Sequence, residues 1–235
     1  MKIAILLTDI DVSDFANQFP DDAQKVVDLM HPLRPDWTFH RFAVRDGEFP
    51  PNSAEFDGLV ITGSPASVHD DRPWIAPLLA LIRTAEARRQ PMVGICFGHQ
   101  AIALALGGKV ARNPLGWGLG TVTTTFQTHK SWMQPSHRQI RFWRWHNEIV
   151  THLPTGAEVL ATDPLTDISA FCIGNHVLAI QHHPEITTDY MDGMLGMLQG
   201  EVSADVLAEA RNSSKLDAEG GLFVEWMALF LESRT

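Results

Sequence analysis

The sequence predicts an α/β protein, a mostly parallel sheet with flanking helices and added antiparallel strands, and three observations carry that expectation. Continuous aliphatic runs at residues 3–7, 58–62 and 91–95 lack the polar alternation of half-solvated strands, as strands buried on both faces do. Amphipathic stretches at 21–30 and 77–88 lie between these runs and can cover them. From 109 to 181 the pattern changes to short β-rich segments broken by Pro and Gly, the usage of antiparallel strands.

Taken in order, residues 3–7 close on Thr8 and Asp9 as a first buried strand, and 21–30 supply the first covering helix. Residues 37–44 and 58–62 follow as strands and 77–88 as a second helix. The run 91–95 leads straight into Cys96, after which 100–106 reads as helix, stopped by Gly107 and Gly108. Strands are expected at 122–126, 140–143, 158–162, 169–173 and 177–181, and helices at 187–198, 204–211 and 222–231. No repeat, low-complexity tract or linker interrupts the chain, so 1–235 reads as a single domain with 187–235 as a helical C-terminal extension.

With 235 residues and 45% hydrophobic content the chain can bury a large core without disulfides or metal. The 18 Lys and Arg against 28 Asp and Glu give a formal charge of -10, which repels phosphate backbones and anionic lipid, so no nucleic acid and no membrane is expected as a partner. No basic leader precedes residues 3–7, and no apolar run is long enough to span a bilayer. The two cysteines, Cys96 and Cys172, sit in apolar runs, the usage of a reducing compartment, and a cytoplasmic location is expected.

The segment Gly94-Ile95-Cys96-Phe97-Gly98-His99-Gln100 places a single Cys where a buried strand must turn abruptly into a helix. That is the form of a nucleophile elbow: the glycines remove Cβ atoms that would collide, and the helix start favours a thiolate. The backbone N–H of Phe97 would then face an oxyanion. A free Cys is more often a small buried hydrophobe; the flanking glycines argue for the elbow at Cys96, whereas Cys172, inside a strand pattern, is assigned to the core.

Gln181-His182-His183-Pro184-Glu185 closes another apolar strand, so its side chains emerge at the same carboxyl edge of the sheet as Cys96. A Cys nucleophile needs a His as proton carrier and a carboxylate to fix its tautomer, and His183 and Glu185 are spaced to serve. Alternation along the strand points His182 the other way. The competing readings are partly exposed strand-end histidines or metal ligands; no spacing typical of zinc sites supports a metal.

These two segments, in this order, resemble the class I glutamine amidotransferases, whose patterns are G-x-C-x-G-x-Q and H-P-E. Residues 61–68, with Gly63 and Ser64, resemble that family's oxyanion strand in the version found in GMP synthetase glutaminase domains. The resemblance covers roughly residues 1–190 and implies a flavodoxin-like glutaminase domain. It implies Cys96 as nucleophile, His183 as base, Glu185 as its orienter, and Gly63 and Phe97 as oxyanion donors. Ser64 and Gln100 would contact substrate, Gln100 at its amino-acid end. Trp145, His146 and Asn147 fall where the family holds the α-amino and α-carboxyl groups of glutamine; here Asn147 replaces a Gly and Glu148 an Asp, and Asn is the residue after Gly that best tolerates positive φ. Residues 113–118 read as a loop approaching the site.

The implied reaction is hydrolysis of the glutamine side-chain amide through a glutamyl thioester, without a cofactor. The chain carries no P-loop and no ATP-pyrophosphatase signature, so released ammonia would go to a separate acceptor synthetase subunit. The alternatives are a γ-glutamyl hydrolase or peptidase using the same chemistry on a substituted amide, and a non-catalytic binding protein.

Overall fold

The computed structural model describes residues 1–233. The first half of the chain gives β1 (Lys2–Leu6), α1 (Asp22–Met30), β2 (Thr38–Phe42), β3 (Gly58–Ile61), α2 (Ile75–Ala87), β4 (Met92–Ile95) and α3 (Phe97–Ala105). Then come β5 (Lys109–Arg112), β6 (Gly118–Phe126), β7 (Gln139–His146), β8 (Glu148–His152), β9 (Ala157–Asp163), β10 (Thr166–Ile173) and β11 (Val177–Ile180). Three helices close the chain, α4 (Thr188–Met197), α5 (Ala204–Ser213) and α6 (Gly220–Glu232).

Among the described residues nine strands form one sheet in the order β2-β1-β3-β4-β11-β10-β9-β6-β7. The pairs from β2 to β11 are parallel and those from β11 to β7 antiparallel. The order 2-1-3-4 followed by β11 is that of doubly wound, flavodoxin-like sheets, in which the crevice between β1 and β3 opens at the strands' carboxyl ends.

Alternation explains the two faces. Ile3, Ile5 and Leu7 point to one side with Val60, Val93 and Ile95, where α1 and α6 cover them. Ala4 and Leu6 point to the other with Leu59, Ile61 and Met92, under α2 and α3. The C-terminal helix is thus built into the main core: Phe223, Trp226 and Phe230 are wholly buried there, and truncating such a side chain costs about 3–5 kcal/mol. The helices α4 and α5 form a third cluster over Leu119 and Trp143.

Two departures from expectation matter for the site. The helix expected at 100–106 begins three residues earlier, at Phe97, directly after Cys96 and without a side-chain cap. The expected β-rich region also contains β5 and β8, which pair as a separate two-stranded sheet and carry Glu148 at its start. No helix among the described residues is long and apolar enough to cross a membrane.

Candidate active site

Cys96 occupies the turn between β4 and α3 with φ 49° and ψ -100°, a left-handed backbone that strains any residue with a Cβ. The turn closes because its neighbours are glycines: a methyl on Gly94 would lie 2.6 Å from the Gly98 carbonyl, and one on Gly98 would lie 2.4 Å from the Ile61 carbonyl oxygen. The Cys96 N–H donates to the Ile180 carbonyl at 2.8 Å, tying the turn to β11. Phe97 is the first residue of α3, where a backbone N–H has no acceptor within the helix.

Past the end of β11, the His183 N–H donates to the Trp143 carbonyl at 3.0 Å. Its Nδ1 lies 2.7 Å from Glu185 Oε1, so an ionised Glu185 accepts from Nδ1–H and leaves Nε2 for chemistry. Nε2 is buried and has no hydrogen-bond partner among the described residues. Gly63 passes beneath this ring, and a methyl there would come within 3.0 Å of His183 Cε1. Burial opposes the imidazolium, but the neighbouring Glu185 and Cys96 outweigh it and hold His183 well above its ordinary range.

Two cavities meet at Cys96. The larger, about 240 Å³, is lined by Ser64, Gln100, Arg112, Trp117, Asn147 and Glu148. The smaller, about 60 Å³, is lined by Asp9, Asp11, Asp22, His183, Tyr190 and Met194. Cys96, Ser64 and Trp145 belong to both. A hollow of about 380 Å³ beside Gln90 and His176 lies at the opposite, amino edge of β4 and β11 and contains none of the sequence-predicted residues. Among the described residues no three His, Cys, Asp or Glu gather so as to hold a metal ion.

The structure brings Cys96, His183, Glu185, Gly63, Ser64, Phe97, Gln100 and Trp145 to one place, with two qualifications. Gln100 lines the cleft, but its Nε2 donates to the Glu148 carbonyl at 2.9 Å, so it also anchors the 145–148 stretch. Ser67 Oγ adds to that anchor by donating to Glu148 Oε2 at 2.9 Å. Asn147 does not adopt positive φ: Arg89 and Cys96 are the non-glycine residues that do among those described. The bend between β7 and β8 therefore needs no glycine-like backbone there. The His146 ring is buried 5.6 Å from His182, with neither nitrogen hydrogen-bonded among the described residues and its pKa held well below the ordinary value by burial.

His182 points away from the cavity, as alternation requires, and its Nε2 lies 2.9 Å from Asp163 Oδ2. Sequence reasoning missed the acidic wall. Burial, with Asp22 adding to it, pushes the Asp9 carboxyl up to about 7. Burial also raises Asp22, against the pull of Lys25, whose Nζ lies 2.9 Å from Asp22 Oδ1 and 3.5 Å from the centre of the Tyr190 ring. Only Asp9, at a strand end beside the elbow's edge, carried a signal; Asp22 and Tyr190 arrive from α1 and α4.

The sequence profile of the family described as Glutamine amidotransferase class-I matches residues 36–195. Gamma-glutamyl peptidase 3 of Arabidopsis thaliana is 31% identical over 168 residues, 66% of this chain and 68% of that protein. The chain spans 62% of the length of that plant's gamma-glutamyl peptidases 4 and 5. A glutamine-hydrolyzing GMP synthase subunit from Ignicoccus hospitalis is 32% identical over 149 residues, 63% of this chain and 77% of that protein. The crystal structure of a glutamine amidotransferase from Thermotoga maritima shares the fold with a TM-score of 0.76 at 20% identity, covering 99% of this chain and 98% of that one.

Proposed function

This chain belongs to the class I glutamine amidotransferase family, and from that premise we propose that it hydrolyses γ-glutamyl amide bonds through Cys96, His183 and Glu185, with glutamine as the simplest substrate. The observation that carries this reading is the convergence of Cys96 and His183, from the ends of the paired strands β4 and β11, on one cavity, with Glu185 at 2.7 Å from His183 Nδ1.

The glutamyl group enters the larger cleft. The Cys96 thiolate attacks the amide carbon, a C–S bond forms, and the carbonyl oxygen takes the negative charge facing the N–H groups of Gly63 and Phe97. Each such donor is worth about 10²–10³ in rate. As the C–N bond breaks, His183 gives its Nε2 proton to the departing nitrogen, and ammonia or an amine leaves. Neutral His183 then takes a proton from water, whose oxygen attacks the thioester; the C–S bond breaks, releasing glutamate and the thiolate. Throughout, Glu185 keeps the other imidazole proton on Nδ1, so that Nε2 is the nitrogen that exchanges protons.

Two uses of this chemistry follow. Similarity to a GMP synthase component supports delivery of ammonia to an acceptor synthetase subunit. The cavity on the His183 side supports the second, hydrolysis of substituted γ-glutamyl amides, because ammonia needs no room beyond its own nitrogen. Both fit a reducing, cytoplasmic setting, in which Cys96 and Cys172 stay free. The test follows glutamate release from glutamine and from γ-glutamyl amines and peptides by the isolated chain. Turnover of at least one class, lost in Cys96→Ala, is expected; a Cys96→Ala protein that keeps the rate overturns the reading.

A further inference from the structure

Proton delivery fixes which side of Cys96 receives the leaving group. The nitrogen that departs must meet His183 Nε2, and His183 lines the smaller cavity and not the larger. His183 is 6% exposed and lines this space with Cys96 beside it, and its buried Nε2 has no hydrogen-bond partner among the described residues. The cavity also lies at the carboxyl ends of β1 and β3, where the strand order reverses and open α/β sheets place their ligands.

The far wall of this cavity is acidic. Asp9 and Asp11 follow β1, and Asp22 opens α1. Lys25 answers Asp22. The Asp9 carboxylate, 8% exposed, accepts the Asp11 N–H at 2.9 Å, and that of Asp11 accepts the Ser13 N–H at 2.9 Å; Arg45 Nη1 donates to the Asp9 backbone carbonyl, and neither carboxylate forms an ion pair among the described residues. Tyr190 and Met194 supply the apolar part of the lining.

We propose that this cavity is the leaving-group subsite and that it selects γ-glutamyl amides whose leaving amine bears a second, positively charged amino group, such as the conjugates of short alkyl diamines. The proposal rests on the reading that Cys96 attacks a γ-glutamyl amide. The acylated nitrogen sits at His183, a few methylenes run past Tyr190 and Met194, and the terminal ammonium meets Asp9 and Asp11. Burial that makes ionised Asp9 unfavourable on its own makes a cationic partner there more valuable. A leaving group ending in a carboxylate, as in a γ-glutamyl amino acid, meets like charge, which costs specificity in the opposite sense.

A matched set isolates the charge: the γ-glutamyl amides of propylamine, 1,3-diaminopropane and 3-aminopropanoate, which differ at the leaving end only. The expected kcat/KM for the diamine conjugate exceeds that of the neutral amide by about tenfold or more, with the carboxylate slowest. In Asp11→Asn, and in Asp9→Asn where it folds, the ratio of cationic to neutral substrate falls toward one. Asp11 is half-exposed, so its variant keeps the test open if Asp9→Asn does not fold. Equal rates for the cationic and neutral amides, a fastest carboxylate, or a ratio that survives the Asp11 substitution overturns the subsite while leaving γ-glutamyl hydrolysis intact. Failure of folded wild-type protein to cleave all three amides and glutamine overturns both.

Discussion

Two histidine–carboxylate pairs stand back to back at the end of β11, and they share almost everything except what faces the free ring nitrogen. His182 Nε2 lies 2.9 Å from Asp163, and His183 Nδ1 lies 2.7 Å from Glu185. The first pair is sealed among the rings of Phe142 and His146, with Ser169 Oγ donating to Asp163 at 2.5 Å. Burial holds His182 below its ordinary range, so it stays neutral. Although burial opposes it, Asp163 is held well below the usual carboxylate range by hydrogen bonds from His182, Ser169 and the Leu165 N–H. The second pair borders a cavity and a sulfur, and there the imidazole is held charged. A short His–carboxylate distance is therefore no mark of a proton carrier; the environment of the other nitrogen decides.

The largest expected effects separate the pairs by activity. His183→Asn and Cys96→Ala should each lower kcat/KM by about 10⁴-fold or more, the range for removing one member of a unit that acts together. His182→Asn should stay within about tenfold of wild type. A dead His182→Asn beside a working His183→Asn would invert the comparison. Steady-state kinetics on folded variants reads the difference.

Next in size, the sealed pair should dominate stability. Asp163→Asn removes a buried carboxylate that three donors address, and a loss of about 2–4 kcal/mol is expected in urea denaturation at pH 7. Because Asp163 is depressed in the folded state, this contribution is present above the ordinary carboxylate range and fades as pH falls below it.

Asp9 should show the opposite slope, more weakly. Its carboxyl, raised to about 7, keeps a proton in the folded chain that the unfolded chain releases near 4, so stability falls as pH rises between those values. Asp9→Asn removes that term, and its stability relative to wild type should improve by about 1–2 kcal/mol from pH 5 to pH 8. Chemical denaturation at both pH values checks the sign.

What could be read from the sequence was what local sterics and period enforce. Gly94 and Gly98 flank Cys96 because backbone approaches on both sides leave no space for a Cβ, and that requirement is visible as a residue pattern. The placement of His183 and His182 on opposite faces follows from strand alternation alone. The mostly parallel sheet was legible from the runs that became β1, β3 and β4. The acidic cavity was not: Asp9, Asp22 and Tyr190 come from the loop after β1, from α1 and from α4, and no local pattern records that packing puts them together. The place of Gln100 beside the cleft could be read from its position after Cys96, but its bond to the Glu148 carbonyl depends on how β8 folds against α3. The start of α3 was missed because Cys96, which caps nothing with its side chain, stands where a Ser, Thr, Asp or Asn would have marked it.

The central claim, that Cys96 at its strained turn is the nucleophile served by His183, is tested most directly with the chain's second cysteine as an internal control. Burial pushes the Cys172 thiol up to about 11, and it is 1% exposed inside β10. Wild-type protein is treated with a limiting amount of a glutamine analogue carrying an electrophile at the γ position, and the adduct is located by peptide mass spectrometry. The account predicts label on Cys96, none on Cys172, and a much slower reaction in His183→Asn. Equal labelling of the two cysteines, or labelling of Cys172 alone, would contradict it.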